Sequence, residues 1–200
     1  MMKRIGSSTS ATTPLFETNR LLLRPPALDD VPAYTRHFVD YEVIRHLSAA
    51  VPWPYPDNGV ADYLAAQRVP QRGHDHNRWM WGLFERARPD ELIGAVELWR
   101  PGTPENRGFW LGRAYWGRGY MSEALVPIMG HAFDRLGFDA MVLSNAKGNL
   151  RSRRLKERIG ARLLRSEPAD FVDPGYRERE LWELTAAQWC RSLEGVSKRR

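Results

Sequence analysis

The chain has 200 residues, enough for one domain with a proper buried core, and its 42% hydrophobic and 27% charged residues are ordinary for a globular protein. One cysteine, Cys190, excludes an internal disulfide, and no apolar run approaches the roughly 20 residues of a membrane span. The formal net charge of +6 leaves three kinds of partner open: nucleic acid, an acidic protein, or a polyphosphate ligand.

The start, MMKRIGSSTSATTP, has no apolar stretch after its basic residues, so it does not read as a secretory signal. A lone cysteine fits a reducing, cytoplasmic compartment. Residues 1–14 read as a flexible Ser/Thr tail, 15–190 as one domain without repeat or linker, and 191–200 as a basic C-terminal tail.

Residues 20–24 form a short strand closed by Pro25 and Pro26. Asp29 and Asp30 start a helix whose residues Ala33, Tyr34, His37 and Phe38 share a face, and a second short helix covers residues 41–47. The segment VPWPYPDNG, 51–59, is excluded from regular structure by its three prolines. Its aromatics, Trp53 and Tyr55, either pack on the body of the domain or line a substrate cleft. Asn58 caps a helix through Val60, Tyr63, Leu64 and Gln67. Residues 70–78 are a polar loop. His74 and His76 flank Asp75 there, but no further His or Cys cluster completes a metal site, so a solvated loop and no metal is expected.

Residues 79–85 and 91–99 read as strands around a turn at 86–90, and residues 107–112 as a third strand after a Pro/Gly loop. A long helix follows from Met121, with apolar residues at three-and-four spacing through Leu136; Pro127 should bend it and Gly137 should end it. Residues 140–143 are a buried strand. A short helix runs from Asn149 to Gly160, and residues 162–165 and 177–184 are the last strands, joined through the turn FVDPGY.

The chain is organised around YWGRGYMSEAL, residues 115–125, where a strand turns into the long helix. Gly117 and Gly119 let the backbone take unusual φ angles and approach a ligand closely. The first helical N–H groups lack intrahelical acceptors, and the helix dipole leaves that end partly positive, so the turn is a candidate phosphate cradle. A plain strand-to-helix turn carries the same two glycines.

Set in order with ETNRLLLRP (17–25), LIGAVELW (92–99), the strand at 140, Asn149, Ser152 and the run from Leu155 to Gly160, WGRGYMSEAL resembles the GNAT acetyltransferases, in particular the Rim branch of ribosomal-protein N-terminal acetyltransferases. The resemblance spans about residues 16–189. It implies an α/β (α+β) fold with a mixed, mostly antiparallel central sheet, helices around it, and the strand at 107–112 splayed from the strand at 140–144. It also implies acetyl-coenzyme A as co-substrate and a primary amine as acceptor: a protein or peptide N-terminus, or a small-molecule amine such as an amino acid, polyamine or antibiotic. An acyl-coenzyme A binding module without turnover remains a competing class. No nucleic-acid motif interleaves aromatics with the basic cluster, and both a monomer and a homodimer are compatible with the sequence.

Against the family's motif (Gln/Arg)-x-x-Gly-x-(Gly/Ala), Gly119 matches the central glycine, while Trp116 and Met121 depart from it. The pyrophosphate is expected on the backbone N–H groups of Gly117, Arg118, Gly119, Tyr120, Met121 and Ser122, with the Arg118 side chain free to reach an oxygen. The family's pantetheine arm runs beside the signature strand, which here implies Trp110, Leu111 and Gly112. Asn149 matches the cofactor-contacting asparagine and is equally a good N-cap. One of Arg151, Arg153 and Arg154, in the basic run 151–158, is a candidate for the 3′-phosphate, and a solvated basic helix face is the alternative. The tyrosine that some relatives use as proton source falls on Lys156. In the Rim branch a serine three residues after the asparagine is the proposed acid, here Ser152. Glu97 is the candidate base, mid-strand, where partial burial makes a carboxylate a better proton acceptor; an ordinary strand-face glutamate with water as relay is the alternative. Trp53 and Tyr55 are the candidate acceptor contacts.

Overall fold

The structure is a computed structural model that describes residues 13–68, 77–100 and 105–197. The first sheet is built from β1 (Phe16–Glu17), β2 (Leu21–Arg24), β3 (Arg78–Glu85), β4 (Arg88–Trp99) and β5 (Arg107–Leu111), in that order. The second holds β6 (Ala140–Ala146), β7 (Arg162–Pro168) and β8 (Glu178–Thr185), in the order β6-β8-β7. All these pairings are antiparallel.

The period-two alternation of β3 and β4 decides what packs where. Trp79, Trp81, Leu83, Ile93, Val96 and Leu98 face α4 (Tyr120–Asp134) in one core. Phe84, Leu92, Ala95 and Trp110 face the opposite side, covered by α1 (Val31–Phe38), α2 (Tyr41–Ile44) and α3 (Gly59–Arg68). The chain closes with α5 (Leu150–Arg158) and α6 (Ala186–Ser197) around the second sheet. The apolar pattern gave no warning of α6, which continues past residue 190, where the domain was expected to end. Among the described residues no helix is long and apolar enough to cross a membrane.

The feature that positions the site is the gap between β5 and β6. These strands form no ladder. They touch at one staple: Asn106 N–H donates to the Val142 carbonyl, and Val142 N–H donates to Asn106 Oδ1, both at 2.8 Å. Beyond Asn106 the free edge of β5 parts from β6, as expected of a splayed pair.

Local details differ from expectation. The β3–β4 turn is two residues, Arg86 and Ala87, because Glu85 already pairs with Arg88. The α2 helix is one turn, started by Asp40, whose carboxylate accepts from Glu42 N–H at 2.9 Å. Helix α4 ends at Asp134, and Gly137, at φ +70°, serves to reverse the chain so that Phe138 N–H reaches Ala132 O at 3.1 Å.

Candidate active site

A cavity of about 510 Å³ opens between β5, the first turns of α4 and α5, α2, and the loop after β7. Its best-defined wall is the glycine turn. Gly117 and Gly119 have φ of +76° and +79°, the left-handed region that side chains resist. The first α4 amide with an intrahelical acceptor is that of Glu123, on Gly119 O, so the N–H groups of Tyr120, Met121 and Ser122 precede the ladder. Gly117, Gly119, Tyr120, Met121 and Ser122 all border the cavity.

The turn is braced from the start of the chain. The Glu123 carboxylate accepts from Thr18 Oγ1 at 2.6 Å, Arg20 N–H at 2.8 Å and Arg20 Nε at 2.7 Å, while Arg20 also donates to Arg118 O. Partial burial disfavours the charged carboxylate, but the hydrogen bonds from Thr18 and Arg20 outweigh it and hold Glu123 below the usual range. Trp116 replaces the family's Gln/Arg with a different anchor: its indole N–H donates to Leu111 O at 2.7 Å, and Arg151 stacks on its ring at 3.8 Å.

The second wall is the start of α5. Asn149 caps it through a 3.1 Å bond from Ser152 N–H and borders the cavity, so capping and cavity contact coexist. Ser152, Arg151, Arg154 and Arg158 border it too, and Arg158 reaches Ser122 Oγ at 3.2 Å, joining the two helix starts. Arg153 turns away to Glu157 and Glu180.

Several expected residues are not in the cavity wall. Gly112 has both backbone groups engaged, its N–H on Ile93 O and its carbonyl with Tyr115 N–H, and His37 packs where its side chain would be. Trp110 and Leu111 do border the cavity, but the Leu111 carbonyl is occupied by Trp116. The Arg118 guanidinium lies over the Tyr115 ring instead, 5.8 Å from its centroid. Glu97, the expected base, is a correction: it lies outside the lining, its carboxylate accepting from Tyr63 at 2.8 Å and bound by Arg78, so it is a strand-face ion pair. Tyr55 packs edge-on against Phe38, and Trp53 lies half-exposed against Tyr41, so neither expected acceptor contact reaches the cavity.

What takes their place at that end is α2 and the loop after β7. Glu42, Val43, His46, Leu47, Asp170 and Phe171 border the cavity there. The two segments are tied by Arg45 to Asp173 at 2.7 Å and by His46 Nε2 to Tyr176 Oη at 3.0 Å. Burial first, then the charges of Arg45 and Arg151, lower the His46 pKa and favour the neutral ring.

The wall also holds polar atoms without partners. Arg107, 4% exposed, has no acceptor for Nε or Nη2, and Asn145 has no donor for Oδ1. Burial pulls Arg107 down to about 10, which leaves it charged at neutral pH. Behind Ser152, and outside the lining, lies Lys156, 0% exposed, with Nζ 2.8 Å from Ser152 Oγ. The sequence did carry a signal for this. Ser152, Leu155, Lys156 and Ile159 fall at the spacing of one helix face, so the lysine shares the buried stripe. Among the described residues no group of three His, Cys, Asp or Glu could hold a metal ion; His74 and His76 lie outside them.

A cleft between two parted strands, with unpaired helix-start amides and arginines beside it, is a site for a phosphate-bearing ligand. The open amides and left-handed glycines fit a pyrophosphate, and the unpartnered donors and acceptor of Arg107 and Asn145 suit a peptide-like arm. The family profile of the acetyltransferase (GNAT) domain matches residues 20–162, and the chain belongs to that family, an N-acetyltransferase that uses acetyl-coenzyme A.

Solved structures with the same fold include RimL, a ribosomal L7/L12 alpha-N-protein acetyltransferase in complex with coenzyme A. It is 19% identical with a TM-score of 0.70, over 86% of this chain and 98% of that one. Mycobacterium smegmatis RimJ, in complex with a CoA-disulfide, is 16% identical with a TM-score of 0.70, over 88% and 89%. A GNAT acetyltransferase from Bacillus anthracis is 15% identical with a TM-score of 0.67, over 86% and 98%. At these identities the likeness is one of fold.

Proposed function

We propose that this enzyme acetylates the α-amine of a protein or peptide N-terminus by direct attack on acetyl-coenzyme A, with Ser152 as the proton donor to the leaving sulfur. The observation that carries the reading is the charge division of the cavity. The open helix-start amides have Arg154 and Arg158 beside them, complementary to phosphates; α2 and the loop after β7 bring Glu42, which also pairs with Arg45, and Asp170 to the same cavity, complementary to an incoming ammonium. The Rim resemblance of the sequence and the fold shared with RimL and RimJ support a protein N-terminus over a small amine. The amine must arrive or become neutral before it attacks. With Glu97 outside the wall, neutral His46 or one of the lining carboxylates, Glu42 or Asp170, is placed to take that proton directly or through solvent.

Thiol release measured with short peptides, their N-acetylated forms and a panel of small amines tests the acceptor. Free-N-terminus peptides should be turned over and their blocked forms should be inert. Turnover of small amines alone would replace the acceptor class, and binding of acetyl-coenzyme A with no turnover on any amine would leave a binding module.

A further inference from the structure

An aliphatic hydroxyl is a far weaker acid than a thiol, whose ordinary pKa is about 8.5. A serine that gave its proton to a departing thiolate and kept none would be left as an alkoxide, a stronger base than the group it served. If Ser152 protonates the sulfur, a second proton must follow from behind. Among the described residues one group stands in that position. Lys156 lies one helical turn on, fully buried, and its Nζ–Ser152 Oγ distance of 2.8 Å is its hydrogen bond to the site. Ser152 borders the cavity and Lys156 does not, so the serine stands between the amine and the ligand space.

We propose that Lys156 supplies the proton that Ser152 delivers, making the two a relay with Ser152 as the touching residue and Lys156 as the positioning and proton-supplying residue behind it. The inference rests on the Ser152 reading above. As the acceptor nitrogen bonds to the acetyl carbon, the C–S bond breaks and its electron pair leaves on sulfur. Sulfur takes the Ser152 hydroxyl proton, and Ser152 takes one from the Lys156 ammonium. A neutral acceptor nitrogen sheds one proton on acylation and Lys156, left neutral, takes one back through Ser152, so the transfer itself closes without a net proton change; an acceptor that arrives as ammonium releases one further proton beforehand.

The surroundings suit a lysine that gives up its proton. The Phe109 ring lies 5.7 Å from Nζ, and the buried Arg107 guanidinium of β5 repels the charge. The nearby carboxylates face Lys156 only through space and are committed elsewhere: Glu105 to Arg179, and Glu180 of β8 to Arg153 and Asn145. Burial, then Arg107, lowers the lysine well below its ordinary range, against the smaller opposing pull of Glu105 and Glu180. The relay needs the ammonium form, which this burial disfavours; where Lys156 carries its proton, the same shift makes it a stronger acid than an ordinary lysine, and the 2.8 Å bond aims that proton at Ser152.

The test is single-turnover thiol release by the full chain, as a function of pH, for wild type, Ser152→Ala, Lys156→Met, Lys156→Gln and the Ser152→Ala/Lys156→Met double variant. Coenzyme A affinity is measured by calorimetry on each. Lys156→Met and Lys156→Gln should each slow turnover by roughly 100-fold or more, as loss of acid–base help does, with coenzyme A affinity unchanged. Gln keeps a hydrogen bond to Ser152 but has no proton to give, so it should not rescue. The double variant should be no slower than Ser152→Ala alone. Wild-type turnover should fall on the alkaline side, below the ordinary lysine value of about 10.4, and the variants should lose that limb. Wild-type rates in either lysine variant, or a double variant slower by the product of the two singles, would overturn the relay. If neither lysine variant folds, a wild-type rate with no alkaline fall up to that value overturns it equally. Slow Ser152→Ala beside fast lysine variants would sink the relay and keep the serine, whereas a fast Ser152→Ala would remove both.

Discussion

The cofactor end of the cavity is built on the glycine turn and the starts of α4 and α5, each a local run of sequence. The acceptor end is made of side chains from segments far apart, with Arg45 and Asp173 separated by 128 positions. On the proposed reading the phosphate contacts come from backbone amides at 117–122, which do not depend on the surrounding side chains, so the departures of Trp116 and Met121 from the family motif are compatible with that cradle. Side chains from α2 and the loop after β7 present whatever chemistry they carry, and a change in either alters the acceptor. One end is fixed by fold and the other is free to specialise.

That contrast is broken most severely by straining the backbone. Gly119→Val puts a β-branched residue at φ +79°, although the space is open, with Arg20 as the nearest neighbour at 3.6 Å. Strain of about 1–3 kcal/mol would weaken coenzyme A binding on the order of ten- to a hundredfold. Calorimetry on the folded variant checks this, and acceptor KM at saturating cofactor should stay near wild type.

A smaller and opposite effect is expected at the other end. Arg45→Ala removes the bond from α2 to Asp173 and loosens that part of the wall without touching the glycine turn. Acceptor KM should rise by roughly tenfold with coenzyme A affinity intact. Acid should act in the same direction. The Gly175 N–H and then Arg45 hold Asp173 below the usual carboxylate range, against its desolvation. The tie is therefore present above the ordinary carboxylate value and is lost as pH falls through the lowered one. A KM–pH profile for wild type, flat until well into acid, and its absence of further change in Arg45→Ala would show both.

The least effect is expected from Glu97→Gln. Tyr63 can still donate to the amide oxygen, and the ion pair with half-exposed Arg78 contributes no more than about 1 kcal/mol. Turnover should parallel wild type at every pH, with thermal denaturation as the control for folding.

These differences track what could be read in the sequence. The strand-turn-helix at 107–134, its glycines, and Asn149 before Ser152 are local patterns set by φ angles and caps, and they fold as read. Glu97 was placed on the correct strand, but periodicity does not say which ions a strand-face carboxylate meets, and it meets Arg78 and Tyr63. Trp53 and Tyr55 were read as open alternatives, and Phe38 and Tyr41, distant in sequence, take them. The α2–loop tie depends on a pairing across the fold that no local pattern encodes. Lys156 lay on a readable face, but a charge among arginines reads as solvated until its neighbours are known.

Amide hydrogen exchange with and without coenzyme A tests the division of the cavity most directly. Protection should rise at residues 117–122 and along the free edge of β5, with the α2 segment and residues 170–176 changing little. Coenzyme A that binds while the amides of 117–122 exchange as before, or that protects α2 and the loop after β7 instead, would contradict a backbone-built cofactor end.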